Sequence, residues 1–160
     1  MKNKKIRILF IVFVLLLTAV SGAFVHTKME YAEMQEDIDD SFQIAYSNLV
    51  RNMRMLQQVE TEESRQTYRI QDNVYGTMLR ATMFSTSYSK ESKNPQDFYK
   101  ICDYLDHCTG TSPGYNLEFS EELYTSLQKL LECNFEDQEL LESTRMLFQK
   151  LIQEQNDTYF

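Results

Sequence analysis

The densest group of side chains able to do chemistry is Cys102-Asp103-Tyr104-Leu105-Asp106-His107-Cys108. Asp103 and His107 stand four apart and would share a helix face. With a cysteine they offer the oxygen, nitrogen and sulfur donors that zinc takes. The group stops short of a metal site. The one other histidine, His26, follows an apolar segment directly, and no second pair of ligands recurs at a regular spacing. The better reading is a helix end, with His107 against the negative pole of the helix dipole and Cys102 and Leu105 turned to a core.

Nucleophilic catalysis fares no better. A Ser-His-Asp or Cys-His site would have to use His26 or His107, and no serine stands in the sharp Gly-rich turn that exposes a nucleophile. Six acidic residues, Glu30, Glu33, Glu36, Asp37, Asp39 and Asp40, crowd one segment. They lack the glycine and the alternating oxygen ligands of a calcium loop and read as a solvated helix face. Among 24 acidic residues, carboxylate pairs arise by chance, and a glycosidase pair needs a deep cleft that short helices seldom build. The sequence therefore assigns no catalytic, cofactor-binding or metal-binding residue and no cofactor. The expectation is a protein that is not an enzyme.

Charge narrows the partners. The formal net charge of −8 conceals an asymmetry: Lys2, Lys4, Lys5 and Arg7 are the only charged residues before His26, and every acidic residue follows. A surface this acidic repels phosphate backbones, which excludes nucleic acid as a partner.

Residues 8–25 contain no charge and two hydroxyls, Thr18 and Ser21. As a helix they span roughly 27 Å, close to the hydrocarbon thickness of about 30 Å. The expectation is a single-pass signal-anchor helix in the plasma membrane. Residues 1–7 form a basic cytoplasmic N-terminus, and residues 26–160 an acidic domain outside, oriented by the positive-inside rule. Ser21-Gly22-Ala23 also offers the small residues of a signal-peptidase site, so a secreted chain cleaved after Ala23 is the competing expectation. Either way Cys102, Cys108 and Cys133 are exported to where disulfides persist. Their odd number leaves at least one thiol unpaired: Cys133 is able to bridge to either of the others, or all three serve as small apolar residues.

The elements that must position these residues are helices. Between Lys28 and Asn94 there is no proline and a single glycine, Gly76. Tyr31, Met34, Ile38, Phe42, Ala45, Leu49, Met53 and Leu56 recur at steps of three and four, the stripe of an amphipathic helix. The stripe lapses at Glu60-Thr61-Glu62-Glu63-Ser64. A second, Ile70, Val74, Met78, Ala81 and Tyr88, follows, with Tyr68, Tyr75, Leu79 and Met83 beside it. Thr61 suits an N-cap, and Glu62 and Glu63 suit the first turn behind it. A long helical hairpin over 28–88 is expected, with one unbroken rod as the alternative.

Ser85–Asn94 reads as a polar connection. Asn94-Pro95-Gln96-Asp97 opens a helix to about residue 107 that buries Phe98, Ile101, Cys102 and Leu105. Residues 109–114 break it. Ser120 opens a helix over 120–133 with the stripe Leu123, Leu127, Leu130 and Leu131, and Asn134 suits a left-handed cap. Asp137 opens the last, over 137–155, with the tail from Asn156 fraying. The class is all-α, an N-terminal transmembrane helix followed by an extracytoplasmic bundle of about five helices.

Each stripe needs a neighbour. The expected partners are therefore the membrane, through residues 8–25, and either another protein or a second copy of this chain. Near-heptad spacing in the first helix is compatible with a parallel coiled coil. The leading functional expectation is a protein-interaction or scaffold module. A ligand-sensing domain signalling through a partner protein is the alternative.

Overall fold

The computed structural model describes the backbone of residues 2–109 and 120–158 and the side chains of residues 10–106 and 120–154. The side chains of His107 and Cys108, and the loop expected at residues 110–114, lie outside the described residues. The described residues form six helices: α1 (Lys2–Gln58), α2 (Glu62–Thr82), α3 (Ser87–Glu91), α4 (Pro95–Thr109), α5 (Glu121–Glu132) and α6 (Gln138–Thr158). No strand is present among them. The chain divides into two compact units, Met1–Glu36 and Asp37–Phe160.

The first unit is the N-terminal part of α1. It is long and apolar enough to cross a membrane. Its described apolar side chains, from Phe10 to Val25, are all exposed within the unit. Thr18 donates its hydroxyl hydrogen to the Val14 carbonyl at 2.9 Å, so this polar group has a partner inside the helix itself.

The second unit holds the core. The α1 stripe enters it as expected through Phe42, Ala45, Leu49 and Met53, all buried, with Tyr46, Val50 and Asn52 beside them. Higher on the same stripe, Tyr31 and Met34 are 64% and 51% exposed. Gln58 ends α1, and Thr61 caps α2 by accepting from Ser64 N. The bond from Asn52 to Asp72 then ties the second arm back to the first, so the hairpin forms and the rod does not.

Three expectations need correction. The hairpin's second arm ends at Thr82 rather than near residue 88, because the polar stretch after it folds into the short helix α3. Thr86 Oγ1 and Ser87 N both donate to Asp39 Oδ1 at 2.7 Å, and Thr86, Ser89 and Ser92 are buried. The core face of α2 is also only partly the one its apolar residues marked: Leu79, with Tyr75, Met78 and Met83, packs on the core as expected, but Ile70, Val74 and Ala81 do not. Asp72, Gly76, Leu79 and Thr82 are buried, while Ile70, Val74 and Ala81 point away and are exposed. Tertiary neighbours set that face. Asn52 gives Asp72 a partner, and Gly76 lets α4 approach so closely that a Cβ there would run into Asp106 Oδ1. Finally, Asn156–Thr158 continue α6 rather than fraying.

The remaining starts follow their caps. Asn94 Oδ1 accepts from Asp97 N at 3.3 Å at the head of α4, and Ser120 Oγ from Leu123 N at 3.1 Å at the head of α5. Asp137 Oδ1 accepts from Leu140 N at 3.0 Å at the head of α6. α5 closes with Asn134 at φ 52°. The Phe135 amide reaches back to Leu130 O at 2.8 Å and the Asn134 amide to Leu131 O at 3.1 Å. That pair of bonds is the Schellman arrangement, with Phe135 and Leu130 supplying its apolar contact.

Phe135, itself at φ 60°, is the hub of the core. Its ring lies 5.8 Å from Phe42, 5.1 Å from Tyr46, 5.7 Å from Tyr88 and 5.0 Å from Phe98, in tilted and edge-to-face geometries that suit aromatic quadrupoles. The end of α5 thus places one ring where α1, α3 and α4 converge. Across the bundle, Arg145 of α6 pairs with Asp97 of α4 at 2.8 Å.

Candidate functional site

Two places in the bundle have a chemistry of their own. The first is a groove between α1 and α5, lined by Tyr46, Ser47, Val50 and Arg51 on one side and Tyr124, Gln128, Leu131 and Glu132 on the other, with a cavity of about 300 Å³. The seven-residue spacing of Tyr124 and Leu131 puts both on one face of α5. Tyr46 is buried beneath, its hydroxyl donating to the Leu127 carbonyl at 3.1 Å, and burial pushes that phenol well above its ordinary range. Next to the groove, Arg54 stacks over the Tyr124 ring at 4.6 Å and pairs with Glu121 at 3.1 Å. Tyr124 also accepts from Gln128 Nε2 at 2.9 Å. The walls are therefore braced on the α5 side, with an apolar floor and a rim of opposite charges, Arg51 and Glu132. Such a hollow has the small end of the size range of ligand pockets.

The second is the buried pair Asn52 and Asp72. Asn52 Nδ2 donates to Asp72 Oδ1 at 2.8 Å, while Asp72 Oδ2 and Asn52 Oδ1 are buried without a partner. Burial pushes the Asp72 carboxyl from 3.8 up to about 7, against the lowering effect of the Asn52 bond. A neutral Asp72 explains the geometry best. A carboxyl proton on Oδ2 removes the buried charge and gives Asp72 a donor beside the acceptor that Asn52 Nδ2 uses. By residue type Asp72 is one of 24 acidic residues. Its one signal is that it follows the core spacing of Leu79 and Tyr75 rather than that of Ile70 and Val74.

The side chains singled out from the sequence disperse. Cys102 is a fully buried free thiol, with its ionisation pushed far up by burial and by Asp103. Cys133 is free and half-buried, with Sγ against Leu130 O. No bridge joins these two. Asp103 is exposed, and Asp106 pairs with Arg80 across α2 and α4. Of the acidic segment, Asp39 is a structural acceptor for α3, and with Asp40 it adds to burial in raising the Tyr88 phenol. Among the described residues, no three His, Cys, Asp or Glu side chains converge as metal ligands. No protein-family model matches the chain, and neither a curated protein nor a solved structure is similar to it.

Proposed function

We propose that the chain is a single-pass membrane protein, anchored by residues 8–25 with its N-terminus in the cytoplasm, whose exported helical domain docks another protein. It is not an enzyme in this reading. The observation that carries the docking role is the outer face of α2. Ile70 and Val74 are 60% and 61% exposed, and Thr67, Thr77 and Ala81 complete a stripe at steps of three and four that bears no charge. A solvated helix face normally carries charged residues, and an apolar one opposite a finished core marks a contact surface.

The test introduces charge there. In native membranes, crosslinking of the full chain is expected to capture a discrete partner, and Ile70→Glu with Val74→Glu should reduce that capture several-fold while leaving the helical circular-dichroism signal intact. Equal capture by the charged variant contradicts the reading.

The α1–α5 groove supports a second reading, a sensory domain that binds a small ligand and signals through a partner. Filling the groove by Ser47→Trp, at an exposed position on its α1 wall, would abolish a ligand-induced rise in melting temperature under that reading. It leaves capture through α2 unchanged.

A further inference from the structure

The N-terminal unit carries an apolar stripe of its own. Phe24, Thr27, Tyr31 and Met34 recur at steps of three and four, so a helix turning about 100° per residue aligns them along one side. Thr27 satisfies its hydroxyl within the helix by donating to Ala23 O at 3.0 Å, which removes its only polar demand. Farther down α1 the same register is the buried core stripe, whereas here Phe24, Tyr31 and Met34 all stand more than half exposed.

Charge decides what fits. Glu33 and Glu36 lie on the far side of the helix from the stripe. Glu30 lies along one edge and Lys28 along the other, with Gln35 on the Lys28 side. When two identical helices run parallel about a two-fold axis, each one's left edge faces the other's right edge. The Glu30 edge of one copy then meets the Lys28 and Gln35 edge of the other, so opposite or neutral groups face each other. An antiparallel pairing sets Glu30 edge against Glu30 edge. A shared membrane anchor imposes the parallel arrangement and confines both copies to one plane, which raises their effective concentration.

We propose that residues 24–34 form a self-association surface, on which a second copy of this chain seats its own Tyr31 and Met34 in a parallel two-helix contact next to the membrane. This rests on the anchored reading above and adds the identity of one occupant. It is separate from the face of α2.

Cysteines introduced one at a time test it in membranes holding the full chain, with the unsubstituted chain as the control for Cys102, Cys108 and Cys133. Tyr31→Cys and Met34→Cys lie on the stripe, Glu33→Cys and Glu36→Cys off it, and all four positions are exposed, so the fold is not at risk. On mild oxidation, the two stripe variants are expected to give a disulfide product of twice the chain mass, several-fold above the other two and above the unsubstituted chain. Uniform yields, no product, or a product of another mass, with the protein still held in carbonate-washed membranes, overturns self-association alone. Loss of the protein from washed membranes overturns the anchored reading and this proposal with it.

Discussion

Asp72 is a buried carboxyl whose ionisation is linked to the fold. Its carboxyl sits near 7 in the folded chain against 3.8 in the open. Between those values the native state holds a proton that the unfolded state has lost. The stability that this site contributes is therefore fully present below about pH 4 and is lost as pH rises to about 7, by roughly a few kcal/mol at most. Asp72→Asn keeps the shape and supplies a donor at every pH. It should match the native chain below pH 4 and exceed it at pH 8, as read by urea unfolding at both values. A native chain whose stability rises between pH 4 and 7 through this site contradicts the neutral pair. Gly76 makes a second case. Gly76→Ala adds helix propensity worth about 0.5–1 kcal/mol, yet its methyl must displace Asp106 from Arg80. We expect a net loss of stability that Asp106→Ala in the same chain converts to a gain, measured as a double-mutant cycle.

At the scale of elements, what the residues announce is where helices begin. Thr61, Asn94, Ser120 and Asp137 are caps by residue type, and each accepts from an amide in its own first turn. Asn134 was legible for the same reason, since its side chain tolerates the left-handed region. What was not legible depends on partners distant in sequence. The stretch 85–94 looks like a connection until Asp39, 47 residues before Thr86, supplies the acceptor that orders α3. The face of α2 is only partly legible, because a buried aspartate and a glycine outrank Ile70 and Val74 only once Asn52 and Asp106 stand opposite. Phe135 was missed altogether, since nothing local tells a phenylalanine after Asn134 that it will be a hub. Phe135→Ala should cost about 3–5 kcal/mol, a large part of a small domain's margin. Asn134→Ala should cost about 1 kcal/mol while Asn134→Gly is neutral or mildly stabilising. Thermal melts of the three variants check that order.

At the scale of the whole molecule, Met1–Glu36 is an apolar helix with its described side chains exposed within its own unit, and Asp37–Phe160 is a bundle with a core of its own. Residues Asp37–Phe160 contain every side chain of the buried aromatic cluster, along with the Asp39 acceptor of α3. The candidate site was less legible than the fold, because the groove and the acid–amide pair each join side chains far apart in the sequence. The functional claim turns on where this domain stands relative to a membrane. Protease treatment of intact cells bearing the full chain with a C-terminal epitope, paired with the intact mass of the protein from carbonate-washed membranes, addresses it directly. The expected result is an epitope digested from outside and a membrane-held chain that retains its N-terminal segment. An epitope protected until the cells are broken, or a released chain that begins after Ala23, would contradict it.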